Sequence, residues 1–437
     1  MARRRGLDSK TLKRALTRAN PHFLMVALTV FQVTAMLLLA FKSETVDWQA
    51  IGYAVFMPLA SYMILKTFIR LWPVDRTLVI LILFLCSVSL VTLKDIAKSP
   101  TTSNTQALYM MIGFVAMGFG IAFSRMRIDW RKASYVLMAL AIPMAFSPFI
   151  LGDWQYGALN WIELSLGGFT ITAQPSEFVK PVLVICLAAQ LSNHPGIKRA
   201  IFGVSFAAAL CGVLLLQRDL GALLLYFLTT VAMFYAATSR LGLSLTGIGA
   251  GAACAVAAYN FLPYIQKRMA VFMNPWSDPM DSGYQIVQAL IAIGSGGLFG
   301  MGLGMGLPRN IPLYHSDLIF AALCEEFGLV FAVCLLAVYA LIFMRAVSIA
   351  MNARTSFHSL VAFGIAFMFA LQTLVIVGGS IHLLPLTGIT LPLVSAGGSS
   401  IVGTMAGLGL LIGVSTLNAE AEANDLRRME WREGGGI

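Results

Sequence analysis

The stretch LIFAALCEEFGLVFAVCLLAVYALIFM, residues 318–344, decides the architecture. From Leu329 to Met344 it carries no charge, and the whole run exceeds the roughly 20 apolar residues that one helical crossing of a bilayer takes. Its two carboxyls, Glu325 and Glu326, lie a turn or two inside the run. Ionisable groups at that depth need partners. Similar runs recur on either side, at roughly 22–41, 48–65, 77–93, 106–124, 133–151, 178–192, 200–216, 220–237, 242–262, 357–377 and 399–417. The chain therefore reads as an all-α, polytopic membrane protein of about twelve transmembrane helices, with a short span at 178–192.

Composition agrees. Of 437 residues, 58% are hydrophobic and 11% charged, where soluble domains carry about 25% charged residues. The mean hydropathy is +0.81. The net charge of +10 sits in loops between apolar runs. Basic residues so placed set orientation in a membrane; nucleic-acid binding would need them clustered with aromatics on a soluble face. The six cysteines lie inside apolar runs without a CxxC, as small buried hydrophobes do. The five histidines show no HExxH or similar spacing, so no protein-built metal site is visible. The first apolar run follows a basic arm, lacks a small-residue cleavage site and is expected to stay as an uncleaved helix.

Orientation follows from the basic residues. With the N-terminus inside and the spans alternating, only Lys42, Lys94, Lys98, Lys180, Arg218, Lys267, Arg268 and Arg309 of the 30 Lys and Arg fall outside. Both termini are then cytoplasmic, with a basic arm at 1–20 and a tail at 418–437. Three outside segments hold the unusual residues: Gly152–Lys180, about 262–317, and Gly378–Ser400.

The long outer loop places Gln266-Lys267-Arg268 before Asn274-Pro-Trp-Ser-Asp278-Pro-Met-Asp281-Ser-Gly-Tyr284-Gln285. Basic groups can hold phosphate, and a carboxylate can take a hydroxyl proton. The mix suits an anionic, sugar-bearing substrate, and it equally suits a solvated polar loop. Gly294–Gly306 is glycine-rich without a nucleotide-binding spacing, so a re-entrant segment lying against the bundle fits it better. Glu177 and Lys180 are three apart at the start of a span and can pair on one helix face, for structure or for function. Asp219 is placed to pair locally with Arg218.

The motifs GALNWI (Gly157–Ile162), QPSEFVKP (Gln174–Pro181), QRDLG (Gln217–Gly221), NPWSDPMDSGYQIVQALIAIGSGGLFGMGLG (Asn274–Gly304), HSDLIFAALCEEFGL (His315–Leu329) and PLTGITLPLVSAGGSS (Pro385–Ser400) occur in one order. In these the chain resembles the SEDS family of shape, elongation, division and sporulation proteins, which includes FtsW, RodA and SpoVE. The resemblance covers roughly residues 75–417. It implies a core of about ten helices, here preceded by two extra ones at 21–74. It implies a peptidoglycan glycosyltransferase that polymerises lipid II outside the cytoplasmic membrane and releases undecaprenyl pyrophosphate. A class B penicillin-binding protein is the implied partner for cross-linking, since the chain has no SxxK motif.

The family's catalytic carboxylate falls on Asp278. Lys180, Glu177, Arg268, Trp161, Tyr284, Gln285, His315, Asp317 and Ser399 are the expected substrate-binding residues. No cofactor is implied; a divalent cation could share the charge of the leaving group. The sequence departs from the family pattern at Leu159-Asn160, where a basic residue often precedes the tryptophan. It departs again at Ser316 and Leu318, and at Ala396, where a tyrosine is usual. Two other classes remain open: a lipid II flippase, which would need a polar path with alternating access, and a non-catalytic scaffold for wall enzymes.

Overall fold

A computed structural model of the protein describes residues 21–434, apart from 43–44, 97–99, 156, 167–168 and 194–195. The expected arm at 1–20, Lys98 and His194 lie outside the described residues. The first five helices are α1 (Pro21–Ala40), α2 (Trp48–Leu71), α3 (Arg76–Ile96), α4 (Pro100–Ser124) and α5 (Trp130–Phe146). A single turn, α6 (Pro148–Leu151), leads into three strands, β1 (Gly152–Gln155), β2 (Ala158–Leu166) and β3 (Phe169–Ala173). Then come α7 (Pro175–Leu191), α8 (Ile197–Leu216), α9 (Leu220–Thr238), α10 (Leu241–Phe261), α11 (Pro263–Met273) and α12 (Tyr284–Gly296). The last three are α13 (Ile319–Met351), α14 (Ser356–Ser380) and α15 (Gly398–Gly434).

Every one of the twelve expected spans is a helix. Eleven are long and apolar enough to cross a membrane. The twelfth, α7, has 17 residues with Glu177 in its first turn, the lower limit for a crossing. It is also the best-buried: it packs against α5, α8, α9, α14 and α15. Pro175 starts it, where a missing N–H is harmless. Pro181 inside it cannot donate to the Glu177 carbonyl, and Gly403 of α15 packs there; a Cβ at 403 would lie 2.5 Å from that oxygen. By contrast α10 buries only Ser244 and stands at the margin of the bundle.

Helices α1 and α2 are stitched to the rest of the bundle by polar groups, which hold better than oil on oil inside a membrane. Buried Gln32 of α1 donates to Ser61 Oγ of α2 at 2.9 Å and to Ser87 Oγ of α3 at 2.7 Å. At the ends of the helices away from α7's start, Arg125 pairs with Glu420 at 2.7 Å and Arg345 with Asp75 at 3.2 Å. Arg354 pairs with Asp425.

Three features go beyond the reading of the sequence. The Gly152–Lys180 segment contains a small antiparallel sheet, β1-β2-β3, an addition to an otherwise helical fold. Cys254 and Cys334 are exposed on outward helix faces, not buried as expected. And α13 is broken at Gly328, which sits at φ 80°, ψ 173°.

The break is where the glycine-rich segment docks. Met301 N and Gly302 N donate to Glu325 O and Glu326 O at 2.8 and 3.0 Å. Leu329 N and Val330 N return bonds to Gly297 O and Leu298 O at 3.0 and 3.1 Å. Backbone groups released by the kink are thus paired inside the protein, the condition for irregular backbone at membrane depth. Cβ atoms at Gly296, Gly300 or Gly328 would collide with the opposite backbone, which is why the segment is glycine-rich.

Candidate functional site

The motif residues converge at one end of the bundle, where α7, α9, α13 and α15 begin and α3 and α14 end. Lys180 is the buried cation. Its Nζ donates to Glu177 Oε1 at 2.7 Å and to Gln372 Oε1 of α14 at 3.1 Å. The expected one-face pair therefore exists, with side chains only 7% and 6% exposed. Gln372 Nε2 donates to Thr390 O at 2.8 Å, and Thr390 Oγ1 meets Ser400 Oγ at 2.6 Å. Among the described residues, Glu177 Oε2 and Ser399 Oγ are buried without a partner.

The segment 387–390 is the hub. It meets the start of α9, where a Cβ on Gly221 would lie 3.1 Å from Thr387 O. A Cβ on Gly388 would lie 3.6 Å from Asp317 Oδ2. Gly388 is at φ +74°, a backbone that favours glycine. Asp317 is half-buried, and burial pushes its carboxyl up to about 6; nearby Asp219 adds to the rise while Ser316 and Arg268 oppose it. His315 is pushed the other way, below its ordinary value, again by burial. Its carbonyl accepts from Ala396 N at 2.8 Å, so the 315–317 turn is fastened to the 395–400 turn.

Asp219 does not pair with Arg218. It caps α9 through Ala222 N at 3.0 Å and accepts from Gln174 Nε2 at 2.8 Å and Asn160 Nδ2 at 3.1 Å. Arg218 has φ +62°, which throws its guanidinium onto the rings of Trp154 and Tyr264 at 4.8 and 5.2 Å. Asn160 on β2 reaches Asp219, so its neighbour Trp161 lies on the other face of the sheet. Trp161 pairs in register with Asp153 and is part-buried.

Asp278 sits on the turn between α11 and α12. Its Oδ2 accepts from Ser282 N at 3.1 Å and Ser282 Oγ at 2.9 Å. Those bonds hold the carboxyl below its ordinary value, with Lys267 helping. The group is open to its surroundings. Among the described residues it makes no direct bond to Lys180, Arg268 or Asp317. Tyr284 ties this turn to the following loop, its hydroxyl donating to Asn310 O at 3.2 Å. Gln285 is part-buried beside it.

The site thus has a buried ammonium, a half-buried guanidinium beside a carboxyl, and an open carboxylate on the turn between α11 and α12. Sequence reasoning missed Gln372, Thr390, Ser400, Gln174 and Asn160. Gln372 could have been suspected, as an amide in the middle of an apolar run. The others are hydroxyls and amides of kinds that occur in any loop. A separate groove of about 680 Å³ runs between α8, α9 and α10 near Ile201, Phe234 and Arg240, at the opposite ends of those helices. The hydroxyls of Ser205, Thr230, Thr238 and Ser244 there bond their own helix carbonyls.

Fold and site together define a polytopic membrane protein with a buried polar cluster at one end of its helices and an acidic loop at that same end. Residues 62–420 match the FtsW/RodA/SpoVE family, described as cell cycle proteins, and the chain belongs to that family. It is 34% identical over 335 residues to a peptidoglycan glycosyltransferase RodA of Mycobacterium tuberculosis, covering 72% of this chain and 70% of that one. It is 35% identical over 331 residues to stage V sporulation protein E of Bacillus subtilis, covering 72% and 86%. Among solved structures it is similar to a chain from a peptidoglycan synthase complex studied for the coordination of polymerization and crosslinking. There the TM-score is 0.67 with 27% identity, over 79% of this chain and 98% of that one. The crystal structure of the rod shape determining protein RodA of Thermus thermophilus gives a TM-score of 0.59 with 25% identity, over 78% and 96%.

Proposed function

We propose that this protein is a peptidoglycan glycosyltransferase that polymerises lipid II at the outer face of a bacterial cytoplasmic membrane, with both termini inside. The observation that carries the reading is the likeness, across most of the chain, to relatives named for that activity. The site supplies matching chemistry.

In this reading Asp278 takes the proton from the attacking sugar hydroxyl as its oxygen bonds to C1 of the second sugar. The C1–O bond to pyrophosphate breaks, and undecaprenyl pyrophosphate leaves with that electron pair. A pyrophosphate needs no proton to leave, so a single carboxylate suffices, unlike the paired carboxyls of glycoside hydrolysis. Ser282 keeps Asp278 ionised and ready. Lys180 and Arg268 face the charge that develops on the leaving group, the kind of preset electrostatics that lowers such barriers most. Glu177 and Gln372 aim Lys180; Asp317 and His315 shape the wall beside it, and Trp161, Tyr284, Gln285 and Ser399 line the approach. A class B penicillin-binding protein would cross-link the product; the similarity to a synthase-complex chain supports that pairing.

The test is polymerisation of purified lipid II with a candidate partner present. Asp278→Asn should lower the rate by about 10²–10⁴-fold, the usual worth of general-base catalysis, while Asp281→Asn stays close to wild type. A wild-type rate from Asp278→Asn refutes the assignment. No product from wild type under any partner condition favours a flippase or a scaffold.

A further inference from the structure

The N-terminal hairpin of α1 and α2, most of which precedes the family-matched residues 62–420, is not a passive addition, because its turn reaches the broken helix. Lys42, just past α1, pairs with Asp95 of α3 at 2.9 Å. Next to it, in the crossed sense, Lys94 pairs with Asp47 at 2.8 Å, and Asp47 caps α2. Two adjacent core residues, Lys94 and Asp95, thus hold both sides of the α1–α2 turn.

Asp95 also stands against Glu326, with Lys42 and Glu325 acting on the same carboxyl. Among the described residues, Asp95 Oδ2 and Glu326 Oε2 are buried and find no donor. Glu326 hydrogen-bonds Asp95, so the ammonium stands against a hydrogen-bonded pair of buried carboxyl groups. Lys42 Nζ and Asp95 Oδ1 lie where a Cβ on Gly304 would have to go, so the cluster is packed directly against the glycine-rich loop. Glu325 Oε1 holds the next part of that loop by accepting from Leu307 N at 3.0 Å. The loop runs on to Asn310, whose carbonyl takes the Tyr284 hydroxyl at the end of the Asp278 turn.

We propose that Lys42 is a positioning residue: it neutralises the Asp95–Glu326 pair and so holds the glycine-rich loop against α13, which keeps the Asp278 turn in place over the site. The catalytic part of this rests on the glycosyltransferase reading above; the loop-holding part does not. Lys42 lies outside the residues that match the family, 62–420, whereas Asp95, Gly304 and Glu326 lie within them. A second ammonium or guanidinium at position 42 can do the same work; a neutral side chain cannot, because the buried carboxyl pair would then lack a counter-ion.

The experiment uses purified full-length protein with Cys254 and Cys334, the exposed thiols, replaced by Ala and Met305→Cys added as a loop probe. Met305 is exposed in the loop. Lys42→Met should raise the rate of thiol labelling at 305. In the polymerisation assay it should lower kcat by about 10–100-fold, the effect of a small misplacement passed to a reacting group from a distance, with KM little changed. Lys42→Arg should restore both readings, and so in part should Lys42→Met with Asp95→Asn, which removes the surplus charge. Unchanged labelling in Lys42→Met overturns the loop-holding claim whether or not the enzyme is active. Faster labelling with unchanged kcat per folded molecule overturns the positioning claim. Failure of Lys42→Arg to rescue shows a packing role only and overturns both. If wild type makes no polymer, the glycosyltransferase reading fails and the labelling arm still decides whether Lys42 holds the loop.

Discussion

Replacing Lys180 and Glu177 singly and together separates what that pair does for folding from what it does for chemistry. Both side chains are almost wholly buried and their charged atoms are 2.7 Å apart. At an effective dielectric near 20 the gross attraction at that distance is about 6 kcal/mol. Desolvating each ion costs several kcal/mol, so the net worth of the pair to stability is small. Removing one partner is another matter. Lys180→Met keeps the stem but leaves the Glu177 carboxylate with neither oxygen paired among the described residues, since Oε2 already lacks a donor there. Gln372 Oε1 loses its donor as well. The expected loss is about 3–5 kcal/mol. Glu177→Gln alone should lose a similar amount by stranding the ammonium. The double variant has no stranded charge, and neutral replacements of buried pairs are often tolerated, so it should fall within about 2 kcal/mol of wild type. The assay is a thermodynamic cycle by denaturant or thermal unfolding in one detergent, run beside lipid II polymerisation. If Lys180 acts on the leaving pyrophosphate, the double variant recovers stability but stays down by at least about 10²-fold in rate, the usual loss when one preset charge is taken from a transition state. A double variant that regains both stability and polymerisation refutes a catalytic role for the ammonium and leaves the pair as structure alone.

Asp317 should leave a signature in the pH dependence of stability. Its folded pKa, about 6, lies above the ordinary 3.8, so the folded chain binds the extra proton between those values. That stabilisation is complete below about pH 3.8 and is lost as pH rises through 6, a change of order 3 kcal/mol at most. Asp317→Asn should flatten stability over pH 4–6 relative to wild type, and equal slopes would refute the burial argument. Gly328→Ala must fit a Cβ against Gly300 at a positive φ, with strain of about 1–3 kcal/mol. Faster protease cleavage in the 297–307 loop should show it, and unaltered cleavage would speak against the docked loop. Topology can be tested at Met280, which is 86% exposed: Met280→Cys should react with an impermeant thiol reagent in intact spheroplasts. Labelling only after lysis would put the proposed site on the wrong side.

How much of this was legible in the chain depends on the length scale of each signal. The twelve helices were, because each is a run of about 20 apolar residues and nothing else in a protein looks like that. Even α7 was found at 178–192, although Glu177 and Lys180 at its start dilute the run; the helix begins three residues earlier, at Pro175. The sheet was not, because the strands alternate too briefly, with four, nine and five residues, between loops that look equally polar. The break in α13 was half visible. Glu325, Glu326 and Gly328 interrupt an oily run, but only the pairing with Gly297–Gly302 shows that the interruption is a designed junction.

For the site, charge was legible and direction was not. Lys180 and Glu177 could be paired because a helix puts positions three apart on one face. Asp219 beside Arg218 looked like the same kind of local pair, and it is not one. A left-handed backbone at Arg218 sends the two side chains apart, one to a cap and two amides, the other to two rings. That outcome hangs on a single φ angle, which composition and periodicity do not encode. The same reasoning applies to Lys42. As a letter it was one more lysine on the outer side. It matters only because α1 and α2, held by Gln32, deliver it to Asp95, and because a glycine at 304 leaves room for its ammonium. Chemistry in this protein is carried by residues that the sequence names, but the partners that give them a role come from helices far apart in the chain.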